Sequence, residues 1–190
     1  MRNNKAGVEM ILLSGEHIKL RAIEPSDLDL LYEWENDPEN WLVSNTTAPF
    51  SRHILQKYIE NAHQDIYEAR QLRLMIDRID KGHTPEIVGT IDLFDFDPLH
   101  LKAGVGILIA RKENRMKGLA SEALSLLIDY AFHRLHLHQL YCNISENNQQ
   151  SLELFKKFGF KETGKKIDWI RQKNKWINVY ILQKINPEDV

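Results

Sequence analysis

The sequence predicts a single α+β domain, an α/β/α sandwich in which a mixed, mostly antiparallel sheet of six to seven strands carries helices on both faces. Three segments with strand-like alternation, Gln71–Ile76, Glu86–Phe94 and Gly104–Ala110, follow one another with only turns between them, as in an antiparallel meander. Strand and helix patterns then alternate from residue 104 to residue 158, an order that brings parallel strands together.

Length and composition indicate the broad class of protein. The chain has 190 residues, 43% of them apolar and 27% charged, so we expect one domain over residues 11–190 behind a loose tail at 1–10. The formal net charge of −2 argues against a general nucleic-acid binder. A single cysteine, Cys142, excludes a disulfide within the chain and fits a reducing compartment. The longest apolar runs are too short to cross a bilayer, so we expect a cytoplasmic protein without a membrane partner.

The N-terminal elements follow from periodicity and capping. Residues 17–22 alternate as a first strand, and Ser26 is a suitable N-cap for a helix that Pro38 closes. A second helix fits Ser51–Ile66, because its apolar residues recur at helical spacing. The stretch KGHTP at 81–85 predicts a turn between two strands.

The C-terminal half alternates helix and strand before a final hairpin. A helix with one apolar face follows the third strand of the meander, and residues 140–144 form a short strand. The next helix, Gln149–Phe158, has a good N-cap in Asn148 and a good C-terminal stop in Gly159. The predicted hairpin pairs Trp169–Arg171 with Trp176–Ile185 across QKNK.

A strand-to-helix loop carries the first chemical signal. The segment RMKGLASEALSLLIDYAF, Arg115–Phe132, places Gly118 and the cations Arg115 and Lys117 directly before a helical run. The first N–H groups of a helix have no partner within it, and with the helix dipole they can hold a phosphate. An ordinary solvated connection explains the loop equally well. The phosphate-loop pattern of nucleotide hydrolases is absent, and so is the glycine fingerprint of dinucleotide-binding folds.

A second signal lies in NNQQSLELFKKFGF, Asn147–Phe160. Taken alone, this stretch is explained as a capped amphipathic helix that ends at a glycine. Taken with the loop, at this spacing and in this strand–helix order, it resembles the GCN5-related N-acetyltransferases (GNAT). The opening IKLRAIEPSDLDLLYEWEND is similar to that of the spermidine and the ribosomal-protein N-terminal acetyltransferases within that family.

Two motifs carry the resemblance, which spans roughly residue 11 to the end. The family's loop motif is Q/R-x-x-G-x-G/A, and its later motif is N-x-x-A/S-x-x-x-Y-x-x-x-G-F. The first is matched by Arg115, Met116, Lys117, Gly118, Leu119 and Ala120, and the second by Asn148, Ser151, Phe155, Gly159 and Phe160.

The resemblance implies acetyl-CoA as co-substrate and a sheet whose two central strands splay apart in a V. The loop amides of Arg115–Ser121 would hold the pyrophosphate, and the pantetheine would bond the strand backbone. The expected cofactor-binding residues are Leu108, Ile109, Ala110, Arg115, Met116, Lys117, Gly118, Leu119, Ala120, Ser121, Asn148, Ser151, Phe155 and Lys157.

The catalytic residues depart from the family pattern. Phe155 stands where the family carries a tyrosine acid, and a phenyl ring cannot donate a proton. Ser151 is the nearest substitute; it could hydrogen-bond the leaving thiolate, or it could only bond locally in the first helical turn. The acidic stretch IDLFDFD offers Asp92 and Asp95 as the general base that an amine needs. A solvated loop would explain each carboxylate as well.

The acceptor remains divided between three classes. Carboxylates at the end of the first helix and in IDLFDFD favour a polyamine, whereas Ser151 favours a protein N-terminus, and a small-molecule amine stays open. A CoA-binding protein without catalysis is the alternative from another class, and a homo-oligomer is left open. The expected acceptor contacts are Glu33, Trp34, Glu35, Trp41 and Asp95. We expect no metal site, because His133, His136 and His138 straddle a helix end without a ligand geometry.

Overall fold

Seven strands form one open sheet in the computed structural model, which describes residues 13–44, 46–79 and 86–189. The predicted tail at 1–10 and the KGHTP turn lie outside these residues. The strands are β1 (Ile18–Arg21), β2 (Leu72–Arg78), β3 (Glu86–Asp97), β4 (Lys102–Ile109), β5 (Gln139–Ser145), β6 (Lys161–Gln172) and β7 (Lys175–Ile185). Their order is β1-β2-β3-β4-β5-β7-β6, and every neighbouring pair is antiparallel except β4–β5. The predicted mixed sheet is confirmed.

The single parallel pair determines where the sheet opens. Pairing between β4 and β5 is limited to Lys102–Gly104 against Gln139–Tyr141. Beyond Gly104 the two strands continue without pairing, because β4 stays with β3 and β5 stays with β7. The sheet therefore splits at its centre into a V.

Helices cover both faces of the sheet. They are α1 (Leu28–Glu35), α2 (Pro38–Ser44), α3 (Arg52–Glu60), α4 (Ile66–Ala69), α5 (Leu119–Asp129) and α6 (Gln149–Lys157). One core lies on the face that packs against α5 and α6, where Leu124, Leu140 and Leu152 are buried. A second core lies on the face that packs against α1 and α3, where Leu31 and Met75 are buried. We call these the α5–α6 face and the α1–α3 face. No helix in the described ranges is long and apolar enough to span a membrane.

The start of the first helix differs from the prediction. A 3-10 turn at Pro25–Asp27 precedes α1, and Glu24 rather than Ser26 is its N-cap, with a reciprocal bond to Asp27. Pro38 begins α2 instead of only closing α1. Proline suits the first turn of a helix, since its missing N–H would have no partner there.

The second helix is shorter than predicted. Ser51 caps it as expected, with its Oγ accepting from the Ile54 N–H at 3.2 Å, but α3 ends at Glu60. Asp65 then caps the separate helix α4, because its carboxylate accepts two backbone N–H groups. A new cap interrupts what the apolar spacing alone suggested was one helix.

The C-terminal elements agree closely with the prediction. Asn148 caps α6, and Gly159 follows it with φ at +82°, the left-handed conformation that favours glycine. The terminal hairpin is confirmed, but β6 begins at Lys161 instead of Trp169, and the turn falls at residues 173–174. Most of β6 is polar and half or more exposed, so its hydrophobic alternation is weak.

Candidate active site

The V exposes backbone edges on both sides. On β4, the Ala110 N–H donates to the Val88 carbonyl at 3.0 Å, and residues bonded to one neighbour alternate along an antiparallel strand with residues directed away from it. The backbone groups of Val105, Ile107 and Ile109 are therefore directed into the V. An extended chain could pair with that edge as an added strand.

This alternation corrects one part of the predicted cofactor site. Of the three residues expected to bond pantetheine, only Ile109 has its backbone groups on the V, whereas Leu108 and Ala110 face β3. Ile107, which was not among the expected residues, has its backbone groups on the V. The prediction counted consecutive residues, but a strand offers every second residue to one neighbour.

A cavity of about 220 Å³ fills the V. Its walls come from β4, β5 and α6, and from both strands of the terminal hairpin, β6 and β7. The glycine at 106 leaves β4 without a side chain at this point, so the cavity reaches both faces of the sheet. Its lining includes Gly106, Ile107, Cys142, Ser151 and Phe155.

The loop before α5 has the geometry of an anion-binding helix start. Gly118 is the N-cap of the 11-residue helix α5 and has φ at +83°. A Cβ added there would meet no atom within 4 Å, so the space in front of the helix is open. Leu119 is buried and anchors the first turn, while Lys117 is exposed. The loop fits a pyrophosphate, since free N–H groups and the helix dipole both favour an anion there.

Arg115 does not extend toward solvent as a free cation. Its Nε donates to the Ile109 carbonyl at 3.0 Å, and its Nη2 donates to the Ala110 carbonyl at 3.1 Å. These bonds tie the loop to the end of β4. They leave Lys117 as the exposed cation beside Gly118, next to the exposed Met116.

Helix α6 supplies the opposite wall of the cavity. The Asn148 Oδ1 accepts from the Ser151 N–H at 3.1 Å, which holds the first turn in place. Ser151 and Phe155 border the cavity one helical turn apart. Phe155 is also buried against Phe160, whereas Lys157 is exposed at the far end of the helix.

Asp92 lies on the α1–α3 face beside the cavity. It pairs with Gly106 across β3–β4, and a Cβ added at Gly106 would lie 3.7 Å from the Asp92 Oδ2. Its Oδ1 accepts from the Arg73 Nε at 2.5 Å. Arg73 also donates through Nη1 to the Glu35 Oε1 at 2.6 Å, so one guanidinium holds two carboxylates.

Burial and the arginine act on Asp92 in opposite directions. Burial raises the pKa of Asp92 above its ordinary value, and the charge and hydrogen bond of Arg73 oppose that rise. The pKa of Arg73 is itself raised, mainly by Asp92 and against its own burial. A carboxylate with a raised pKa is a better proton acceptor than an exposed one, since its basicity lies nearer neutral pH.

Sequence analysis did not identify Arg73. A cation within the apolar strand LRLMIDR was the available signal. Its partner was also deducible in principle, because Arg73 and Asp92 are paired in register across β2 and β3. That register could not be assigned before the sheet was known.

Asp95 lies in a different place from Asp92. It has φ at +48°, is exposed, and accepts a hydrogen bond from the Tyr141 hydroxyl at 3.1 Å. Asp95 and Tyr141 line a second groove at the closed end of the V, away from the cavity. Burial and the Asp95 carboxylate together raise the pKa of Tyr141 to about 12. This position does not fit the expected role of Asp95 as the base in the cavity.

The expected acceptor contacts are also divided. Trp34 is 4% exposed and packs in the core of the α1–α3 face, which corrects its expected place in an acceptor pocket. Trp41 is half-buried, and its Nε1 donates to the Glu35 carbonyl at 2.7 Å. Glu33 is exposed and lies 3.7 Å from Arg111. Glu35 is linked to Asp92, because Arg73 donates a hydrogen bond to each of these two carboxylates.

Metal binding has no support in the described part of the chain. No group of three or more His, Cys, Asp or Glu side chains is placed there to hold an ion. His133 and His138 instead contact Glu188 and Asp189 near the C-terminus.

Comparison with known proteins places these features in one family. Residues 17–161 match the model of the acetyltransferase (GNAT) domain. The chain is 28% identical to the uncharacterized N-acetyltransferase p20 of Bacillus licheniformis, over 94% of this chain and 98% of that protein. It is 25% identical to a spermidine N(1)-acetyltransferase of Vibrio cholerae, over 87% and 93% of the two chains.

The fold has a close match among solved structures. The crystal structure of spermidine N-acetyltransferase from Vibrio cholerae in complex with CoA and spermine superposes with a TM-score of 0.79, over 90% of this chain and 96% of that one, at 21% identity. The open strand edge, the cavity and the loop at Gly118 are features that acetyl-CoA, the co-substrate of this family, requires. The chain belongs to the GNAT family of acetyl-CoA-dependent N-acetyltransferases.

Proposed function

We propose that the protein transfers the acetyl group of acetyl-CoA to a primary amine that approaches the cavity from the α1–α3 face. The main support for this proposal is that Asp92 borders Gly106 on the α1–α3 face. The loop at Gly118 and helix α6 lie on the α5–α6 face. Cofactor and acceptor would then meet through the V.

The cofactor side rests on the loop and on β4. The N–H groups at the start of α5 would bind the pyrophosphate, and the Ile107 carbonyl and the Ile109 N–H on the edge of β4 would bond the pantetheine. Bound acetyl-CoA supplies the acetyl group as a thioester. The exposed Lys117 adds positive charge beside the phosphates.

The chemistry requires a proton acceptor on the other side. An alkyl ammonium has a pKa of about 10.4, so the amine must lose a proton before it attacks. Asp92 would accept that proton, directly or through a water molecule, before the amine attacks. A second proton leaves the nitrogen as the carbon–nitrogen bond forms, and it would pass to the departing thiolate of CoA or to solvent. The Ile107 N–H would donate to the carbonyl oxygen as charge develops there. Ser151 would donate a hydrogen bond to the thiolate as the carbon–sulfur bond breaks.

For the acceptor, we propose a polyamine first. Two observations support it: the named activity of the Vibrio cholerae relative, and the carboxylates Glu33 and Glu35 at the end of α1. One observation weighs against a strongly acidic cleft, since Arg73 neutralises part of the charge of Glu35 and Asp92.

A protein N-terminus is the second candidate acceptor, because the terminal hairpin exposes large apolar side chains. Ile167, Trp169 and Trp176 are 65%, 60% and 58% exposed, and Trp169 also borders the cavity. An apolar surface beside the cavity suits a peptide better than a polycation.

A panel of amines tests both proposals. CoA release is measured with spermidine, a monoamine, an amino sugar and short peptides with free N-termini. The polyamine proposal predicts the highest kcat/KM for spermidine and a loss of affinity with added salt, since screening weakens charge attraction. The peptide proposal predicts turnover that depends on the first residues of the peptide and little on salt.

A further inference from the structure

Arg73 connects three elements of the α1–α3 face. It lies on β2, donates to Asp92 on β3 and to Glu35 on α1, and its guanidinium stacks 5.6 Å from the ring centre of Tyr58 on α3. The side chains of Arg73, Glu35 and Asp92 are 20%, 18% and 14% exposed. A cation that is fixed on several sides holds its partners in one geometry.

The two carboxylate oxygens of Asp92 have different surroundings. Arg73 occupies Oδ1, and the other oxygen, Oδ2, lies near Gly106 at the cavity. A carboxylate with one oxygen anchored cannot rotate freely about its terminal bond. The second oxygen is therefore kept toward the cavity.

A second arginine cluster in the molecule shows what purely structural pairing looks like. Arg21 donates to Asp27 and Asp77, with side-chain exposures of 22%, 1% and 12%. Its chemistry and burial match those of Arg73. It lies at the β1–β2 edge of the sheet, however, whereas Asp92 pairs across β3–β4 with Gly106, which lines the cavity.

We propose that Arg73 is a positioning residue of the acetyl transfer, which acts through Asp92 by favouring its ionised form and by keeping its Oδ2 on the cavity side, toward the amine. This inference rests on the proposed function, in which Asp92 is the base. The charged and titratable groups around Asp92 are Arg73, Glu35 and Tyr58. Arg73 is the cation among these described groups and the main support of the ionised form of Asp92, to which a hydrogen bond from the Gln71 side chain also contributes.

Removal of Arg73 has a definite consequence for pH dependence. Burial already favours the protonated carboxyl, and the loss of the arginine removes the opposing effect. In Arg73→Met the acidic limb of the kcat/KM profile is expected to move to higher pH by about one unit or more. In Arg73→Lys the charge remains but the two-pronged grip is lost, so kcat should fall with a smaller movement of that limb.

A double-mutant cycle tests the proposal. Arg73→Lys and Arg73→Met are made in the parent and in Asp92→Asn, and the pH profile of kcat/KM, the acetyl-CoA Kd and the thermal unfolding midpoint are measured. Arg21→Met is the matched control, expected to lower the midpoint without moving the pH profile. If Arg73 acts through Asp92, its substitution should lower kcat about tenfold or more in the parent and less than about twofold in Asp92→Asn.

The outcomes separate this inference from the proposed function. Equal losses in both backgrounds, or an acidic limb that stays in place in Arg73→Met, would overturn the positioning role alone. Full activity of Asp92→Asn would overturn both the base and the positioning role. A parent that binds acetyl-CoA and acetylates no amine would overturn the proposed function itself. Should Arg73→Met not fold, the comparison of Arg73→Lys in the two backgrounds decides.

Discussion

Phe155 and Phe160 pack edge to face, with ring centroids 4.9 Å apart and planes at 84°. Phe155 also borders the cavity, at the position where the family's second motif carries a tyrosine. A hydroxyl added to this ring is expected to enter the cavity, whose lining includes the polar residues Ser145 and Ser151. The packing against Phe160 fixes the ring without the need for that hydroxyl.

We predict that Phe155→Tyr keeps the stability of the parent and gives an equal or higher kcat. The tyrosine would add a proton donor for the leaving thiolate to the hydrogen bond from Ser151. The measurement is kcat for the best amine together with the urea unfolding midpoint. A loss of about 1–3 kcal/mol in stability with no gain in rate would mean that the hydroxyl is buried without a partner.

Gly118→Asp should weaken acetyl-CoA binding more than it weakens the fold. The added side chain finds open space, but its carboxylate enters the site proposed for the pyrophosphate. The matched control is Gly118→Asn, which has the same shape and the same cost, about 1 kcal/mol, of a left-handed residue.

Calorimetric Kd values and unfolding midpoints distinguish the two effects. Both variants should unfold at similar temperatures, while only the aspartate should raise the acetyl-CoA Kd by about tenfold or more, which is 1.4 kcal/mol. Equal affinity in the two variants would remove the loop from the cofactor site.

Asp92→Asn and Asp95→Asn should behave differently, although the two residues lie three apart in the sequence. Asparagine at 92 removes the proposed base beside Gly106, so kcat should fall by about 10²-fold or more. Asparagine at 95 only changes the partner of Tyr141 in the second groove, so we expect an effect below about threefold. Steady-state kinetics with saturating acetyl-CoA measure both. The reverse order of effects would move the acceptor site to the groove of Asp95.

The thiol of Cys142 should be inert in the native protein. It is 2% exposed, and burial raises its pKa from 9.0 to about 12. Because the folded pKa lies above the unfolded one, this group's contribution to stability is complete below pH 9 and is lost as the pH rises toward 12. With a thiol reagent at pH 8, we expect no fast reaction in the native state and one equivalent per chain in denaturant. Fast native labelling would mean that the cavity wall at β5 opens.

Local signals allowed sequence analysis to predict helix α6 and its surroundings. Asn148 and Gly159 act on the backbone within a few residues of themselves, so their effect does not depend on the rest of the fold. Gly118 likewise acts locally, as the residue from which helix α5 begins. Ser26 failed as a cap because Glu24 and Asp27 form a competing reciprocal pair at the same helix start.

Long-range relationships could not be predicted in this way. The burial of Trp34 depends on how α1 packs against α3 and β2, whereas helical spacing alone allowed this side chain either to pack or to line an acceptor pocket. The separation of Asp92 from Asp95 depends on the irregular register between Phe94 and Asp97 in β3. Arg73 has its two partners 38 and 19 residues away, so its role appears only when the strands are in register.

The most direct test of the account is amine-dependent release of CoA, with the product identified by mass spectrometry. The purified protein is mixed with acetyl-CoA and one primary amine at a time, and Asp92→Asn is run in parallel. We expect an acetylated amine, formed in step with free CoA, and a loss of most of this turnover in Asp92→Asn. Tight binding of acetyl-CoA with no release above the rate of its hydrolysis for any amine would contradict it, and would identify a CoA-binding protein without catalysis.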